Sequence, residues 1–245
     1  NIKIKKLNLN RNINLKDEID ALVHCASLVP AHNPSKKMYN DVNLNGFKKL
    51  IKYCKNIGCK KIVLISTMSV YGKITSKSIT EKTKFKSPDY YGETKIKMEN
   101  LLKKYCKNKN NSGMILRLPG LIGPKSKNNF LSYALKHIKK EKFIKINNPN
   151  LKFNNIAHVD SISNIIFKYL NKKSYKLLIF NVGTLEPILF KNVFKLIFRE
   201  LKIKEKIIYN TSKNSGFNIK INKDLKKYGL LTTKKAIKKF VKENL

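Results

Sequence analysis

Tyr91 and Lys95, in the stretch DYYGETK at 89–95, stand four residues apart. On a helix that spacing puts both side chains on one face, so a phenol and an ammonium can address one bound molecule. A phenol has an ordinary pKa of about 10 and is a poor base at neutral pH. A neighbouring cation stabilises the phenolate and lowers that value, which is how tyrosine becomes a general acid/base. The spacing alone decides nothing. With 11 Tyr and 53 Lys+Arg in 245 residues, three of the latter being Arg, about two such pairs arise by accident. Tyr209 with Lys213 reads as one of these, at the end of an expected strand and outside any motif. A third group must hold the reacting oxygen, and the strand before Tyr91 ends in ISTMSVYG at 65–72. The carboxyl end of such a strand is where open α/β sheets bind ligands.

The elements that position these residues alternate. Apolar alternation predicts a strand over 2–10, and the run DALVHCAS predicts a buried strand over 20–27. A helix fits 37–57, and a strand apolar on both faces fits 60–67. A polar loop with Pro88 covers 72–88, helical spacing resumes over 90–105, and a strand at 113–118 is stopped by PGLIGP. Beyond 125 the order is less regular. Helices are expected at 128–139, 160–171 and 187–201, strands at 143–146, 176–182 and 206–210, and a helix at the end. No repeat and no linker stands out, and the alternation predicts an α/β fold with a parallel sheet.

Composition is that of a soluble globular chain, 42% hydrophobic and 28% charged. No apolar run approaches the roughly 18 residues a membrane span needs, and the start lacks the apolar segment of a signal peptide. The expectation is a cytoplasmic protein with no membrane partner. Cys25, Cys54, Cys59 and Cys106 form no CxxC pair, and Cys54 with Cys59 reads as helical packing, so neither a disulfide framework nor a metal is expected. His24, His32, His137 and His158 lack metal-ligand spacing, and His158 reads as a turn anchor. The net charge of +38 comes almost entirely from lysines spread along the chain. That texture, with abundant Asn and Ile, matches the codon usage of an AT-rich genome better than a nucleic-acid surface, although it would favour capture of an anionic substrate. Tyr71 and Tyr90, with no lysine four residues on, read as packing or rim aromatics.

ISTMSVYG, then YYGETK with Glu99 four residues after Lys95, then LRLPGLIGP, resemble successive signatures of the extended short-chain dehydrogenase/reductases, the NAD-dependent sugar epimerase/dehydratase family. DALVHCAS, VNLNG with Asn43 and Gly46, IAHVDS and FNVG extend the resemblance over nearly the whole chain. It implies a Rossmann-like doubly wound parallel sheet and a small C-terminal substrate lobe. Residues 1–126 would form a partial dinucleotide-binding domain and 127–245 mainly the substrate lobe, with 150–185 returning to the first. It also implies roles. Thr67 would hydrogen-bond the substrate oxygen, Tyr91 would be the acid/base, and Lys95 would hold the nicotinamide ribose and tune Tyr91. Ala26, Ser27, Asn43, Ser66, Lys95 and Pro119 would line an NAD or NADP site, and Met68, Ser69 and Asn128 would meet the substrate.

Departures from the pattern concentrate at the front. The first glycine is Gly46, so the glycine-rich turn that carries the pyrophosphate is missing from the preceding residues. The chain reads as lacking the family's first βαβα unit, with 2–10 as the third strand and Asn8 where the family has an acidic residue. An arginine that would hold a nucleotide phosphate falls at Asn154, and the asparagine before the Y-G-P element falls at Gly120. The resemblance implies a 4-epimerase, dehydratase or 4-keto reductase of a nucleotide-activated sugar, supplying surface polysaccharide. It implies a homodimer through helices 37–57 and 90–107, where Leu44, Phe47, Leu50, Ile51, Leu101 and Leu102 supply apolar surface. A non-catalytic, RNA-binding relative that kept the fold and lost the cofactor site is the alternative.

Overall fold

The computed structural model describes residues 4–9, 11, 13, 17–173, 176–210 and 216–245. In chain order, β1 (Ala21–His24) leads to α1 (Lys36–Met38), a π-helical stretch (Tyr39–Asn45), α2 (Gly46–Asn56) and β2 (Lys61–Thr67). A 3-10 turn (Met68–Tyr71), β3 (Ser78–Ile79), α3 (Tyr90–Tyr105), β4 (Ser112–Leu118), β5 (Gly120–Ile122) and α4 (Phe130–Glu141) follow. Next come β6 (Ile144–Asn147), β7 (Lys152–Phe153), β8 (Ile156–His158), α5 (Val159–Leu170), β9 (Leu177–Asn181) and β10 (Ile188–Leu189). The chain ends with α6 (Phe190–Glu200), β11 (Ile207–Asn210), β12 (Asn218–Ile219), α7 (Lys223–Lys226) and α8 (Thr233–Lys242). No helix among the described residues is long and apolar enough to cross a membrane.

Two compact units divide the chain, one of residues 1–73, 85–116 and 172–179, the other of 74–84, 117–171 and 180–245. The first is built on a Rossmann-like sheet in the order β1-β2-β4-β9, with β1 and β2 parallel in the register Ala21 to Lys61. Ile62, Val63 and Leu64 of β2 are buried, as the apolar run on both faces requires. Against the sheet pack Phe47, Leu50, Ile51 and Cys54 of α2 with Met98 and Leu102 of α3. Phe47, Leu50, Ile51 and Leu102, expected to face a second copy, are therefore already buried inside this unit, and only Leu44 and Leu101 remain partly open.

Residues 4–9 form no strand, contrary to the alternation at 2–10; residues 2, 3 and 10 lie outside the described set. A strand needs a ladder partner. Here Ile4 and Leu7 stay exposed, while Leu9 packs on the core of this unit together with Ile13 and Ile19, Leu9 lying against Gly46, and Lys49 Nζ donates to Leu9 O at 3.2 Å. The expected helix 37–57 is helical to Asn56 but widens to a π-helix over Tyr39–Asn45. The wider turn buries Tyr39 and Asn43 on the side facing the loop after β1.

The second unit is held by short ladders: β5 with β8, β6 with β11 and β12 with β3 run parallel, and β10 with β7 runs antiparallel. Its core joins Leu131, Leu135 and Ile138 of α4, Phe194 and Phe198 of α6 and Phe240 of α8. The polar loop 72–88 carries β3, whose Ile79 is fully buried.

Gly72 closes the turn after β2 with φ of 60°. A Cβ there would meet Lys86 O at 2.1 Å and Pro88 N at 2.7 Å, both backbone atoms that cannot turn aside. Gly72→Ala is expected to cost more than about 2 kcal/mol, the sum of left-handed strain and overpacking, as read by urea unfolding. A loss under about 0.5 kcal/mol would show that the turn is not built as described.

Candidate active site

Three elements of the first unit converge at the carboxyl end of its sheet: the loop after β1, the 3-10 turn after β2, and the first turns of α3. Asp89 starts α3 by accepting from Gly92 N at 2.7 Å, the N-cap that an Asp before a helical run supplies. Gly92 then lets the helix seat on the turn, because a Cβ there would meet Ser69 O at 2.4 Å. Thr67 caps the 3-10 turn: its Oγ1 accepts from Ser69 N and donates to Ser69 Oγ, both at 3.2 Å. Thr67, Met68 and Ser69 are half-buried, so each keeps an open side.

Lys95 is 2% exposed. Its Nζ donates to Ile65 O at 2.9 Å and lies over the ring of Tyr91, 5.7 Å from the centroid. That is one of the three hydrogen bonds an ammonium can donate, and no carboxylate is bonded to it among the described residues. Burial pulls its pKa from 10.5 to about 8, against the attraction of Cys25 and Glu99. Glu99 is itself buried and accepts from Ser66 Oγ at 2.6 Å, so Ser66 braces α3 against β2.

Tyr91 departs from expectation. Burial raises its phenol from 10 to about 12, a hydrogen bond from Ser27 opposes that rise, and Tyr39 and Asp89 add to it. Lys95 was expected to lower this value, but its ammonium is turned to Ile65 O and lies over the ring. Tyr39, from the π-helical stretch, packs 5.8 Å from Tyr91, a contact with no signal in the sequence.

Asn43 serves as a strut: Leu28 N donates to its Oδ1 at 2.8 Å, and its Nδ2 donates to Leu28 O at 3.1 Å. It shapes the loop in which Ala26 is exposed and Ser27 half-buried. His24, missed as a site residue, is buried with its ring stacked on Phe47 at 4.9 Å, and its Nε2 has no partner among the described residues. Burial and then the Lys95 charge hold its pKa down at about 4, so the imidazole beside Lys95 is neutral.

Pro119, half-buried, and Asn128, exposed, belong to the second unit. Asn128 has φ of 58° and accepts from Tyr133 Oη at 3.1 Å. Asn154 is fully buried and wholly occupied: it donates to Thr184 O at 3.1 Å and Ile219 O at 2.9 Å, and accepts from Ile219 N at 2.8 Å. The position thus ties three loops together and offers no phosphate contact. His158 caps α5, Nδ1 accepting from Asp160 N at 3.2 Å while Nε2 meets Glu243 Oε2 at 2.9 Å. Lys239 bonds Asp160 and lies 3.6 Å from Glu243, so an ammonium already serves as the cation of this acidic corner. Of the pair Tyr209 and Lys213, Lys213 lies outside the described residues.

The residues present suit the nicotinamide half of a dinucleotide. A buried ammonium with two unused donors matches a diol such as a ribose offers, and Tyr91 and Thr67 flank it with a phenol and a hydroxyl. A glycine-rich turn for the pyrophosphate is not found before Gly46.

Comparison with known proteins follows the same line. The chain is 35% identical over 111 residues to the bovine (Bos taurus) sterol-4-alpha-carboxylate 3-dehydrogenase, decarboxylating, a match covering 44% of this chain and 31% of that protein. It is 36% identical over 91 residues to UDP-glucose 4-epimerase of Lactobacillus helveticus, covering 36% of this chain and 28% of the relative. The matches thus span about a third of these relatives' length. Among solved structures, RMD from Pseudomonas aeruginosa complexed with NADPH superposes with a TM-score of 0.76 at 16% identity, covering 98% of this chain and 87% of that one. UDP-glucuronic acid 4-epimerase from Bacillus cereus in complex with NAD superposes at 0.74 and 20% identity, covering 93% and 76%. These likenesses show the fold. Because residues 2–183 match its profile, the chain belongs to the NAD dependent epimerase/dehydratase family.

Proposed function

We propose that this chain carries the hydride-transfer centre of an NAD- or NADP-dependent enzyme that oxidises or reduces one carbon of a nucleotide-activated sugar, as a 4-epimerase, dehydratase or 4-keto reductase. The observation that carries the reading is Lys95, a buried ammonium with unused donors under Tyr91. The sugar class is supported by the UDP-glucose 4-epimerases and a dTDP-D-glucose 4,6-dehydratase among the relatives, and a role in surface polysaccharide synthesis is the use we infer for it.

When bound, the nicotinamide accepts or returns the hydride. Lys95 Nζ holds the adjoining ribose hydroxyls, and Thr67 Oγ1 holds the substrate oxygen. Tyr91 Oη gives its proton to that oxygen in reduction and takes one from it in oxidation. With its phenol at about 12, Tyr91 starts protonated, the form suited to donation. Oxidation needs the phenolate, which is favoured when Lys95 turns from Ile65 O toward the bound molecule. Ala26 and Ser27 line the cofactor along the loop that Asn43 fixes, and Met68 and Ser69 meet the sugar. A homodimer through α2 and α3 belongs to this reading only through Leu44 and Leu101, since Phe47, Leu50, Ile51 and Leu102 are spent on the core of the unit.

In the full-length protein, Tyr91→Phe is expected to lower turnover by about 10²- to 10⁴-fold while changing NAD affinity little, because the phenol moves a proton and carries little of the cofactor. Steady-state kinetics and calorimetric titration check this. Turnover within about tenfold of the parent would remove Tyr91 from the mechanism.

Lys95 makes a second expectation with a defined sign. Its folded pKa of about 8 lies below its ordinary 10.5, so between these values the unfolded chain binds more protons than the native one. Stability therefore rises with pH through that window, and below it the buried charge is a net cost. Lys95→Met is expected to abolish activity, raise the urea midpoint below pH 8, and flatten the rise above it. A midpoint lowered below pH 8 would mean that Lys95 holds the fold together.

A further inference from the structure

The two cysteines set aside as helical packing occupy a defined motif at the end of α2. Cys59 N donates to Cys54 O at 2.9 Å and Gly58 N to Lys55 O at 3.4 Å. Gly58 between them has φ of 69°, and a Cβ there would meet open space. This is the paired 6-to-1 and 5-to-2 bonding of a Schellman turn, which folds the residue after the glycine back onto the third from the helix end. Those two positions are usually an apolar contact, and here both are thiols. Cys54 is fully buried and Cys59 is 2% exposed, its thiol donating to Lys61 O at 3.5 Å.

The surroundings differ from those of an inert core cysteine. Both residues line a cavity of about 460 Å³ together with Lys55, Lys60 and Lys104. The neighbouring Cys54 thiol draws Cys59 toward the thiolate, while Cys54 itself is pushed up. Cys59, the less buried of the two, is the attacking sulfur and Cys54 the resolving one. Cys106 lacks this arrangement, and burial raises it to about 11.

We infer that Cys54 and Cys59 form a reversible dithiol–disulfide site, held in contact by the helix-ending turn and open through a lysine-lined cavity to anionic disulfides of the glutathione type. The Cys59 thiolate attacks one sulfur of the oxidised tripeptide, breaking its S–S bond and releasing one thiolate. The Cys54 sulfur, its proton passing to solvent, then displaces the second tripeptide thiolate from Cys59. The two protein thiols lose two electrons and two protons, and one small disulfide becomes two thiols.

The test is incubation of the full-length protein with excess oxidised glutathione, followed by alkylation and peptide mapping. The expected product is a cross-link joining 54 to 59 with the loss of two hydrogen atoms, reversed by reduced glutathione, and forming more slowly than any adduct on exposed Cys25. Cys54→Ser is expected to stop at a stable glutathione adduct on Cys59, and Cys59→Ser to give neither product. Finding Cys54 and Cys59 both alkylated after the treatment would overturn the assignment. So would adducts confined to Cys25 or Cys106, or a Cys54→Ser variant with Cys59 unmodified.

Discussion

The first unit is arranged around the buried ammonium of Lys95, a charge that its surroundings do not neutralise by direct contact. Shifting a lysine from 10.5 to about 8 corresponds to about 3 kcal/mol of disfavoured charge. An expense of that size persists only where the rest of the structure over-determines it. Several features do so here. The Asp89 cap and the close seat of Gly92 on Ser69 O fix where α3 begins, and the buried bond between Ser66 and Glu99 fixes it one turn beyond Lys95. Between these two anchors Lys95 Nζ is held within reach of Ile65 O.

The same burial sets the electrostatics of its neighbours. His24 is held neutral, with an unpartnered nitrogen, at a position where a protonated imidazole would add a second cation beside Lys95. Tyr91 is pushed up for the same dielectric reason that Lys95 is pushed down, since burial disfavours the charged form of each. Both groups therefore lean toward neutrality. Polar hydroxyls placed against Lys95 would restore to its ammonium part of what burial removed, and the ammonium in turn would favour the phenolate. On the proposed mechanism, binding and activation are then one electrostatic event.

How much of this was legible in the residues depends on the range of the interaction. Helix α3, the strand before it and the pairing of Tyr91 with Lys95 on one face follow from local periodicity, and the sequence places them to within a residue or two. What failed was non-local. The alternation at 2–10 reads as a strand, yet Leu9 finds the backbone of Gly46 on α2 in place of a ladder. The ladders β3 with β12 and β7 with β10 are two residues long, too short for any pattern, and each joins segments far apart in the chain. The direction of Lys95 Nζ, and hence the sign of the Tyr91 shift, depends on a carbonyl of β2 that no spacing rule reaches. Asn154 is instructive in the opposite way. The residue type signalled a lost cation, and the structure adds that its amide now closes three backbone hydrogen bonds inside the second unit.

The lysine excess sharpens this reading of the site. Subtracting three Arg from 53 Lys+Arg leaves 50 lysines against 15 acidic residues, so compositional drift could by itself explain a lysine four residues after a tyrosine. It does not explain where that lysine points. Drift adds lysines where they are cheap, with the ammonium in water and only the stem on the protein. Among the described residues Lys95 is the one lysine that is buried. A substitution there by any apolar residue of similar length would relieve the charge penalty, and a chain under no demand but stability has had the simplest of reasons to make it. That the ammonium stays, bonded once and with two donors unused, is better explained by a ligand that takes up those donors than by the composition of the chain.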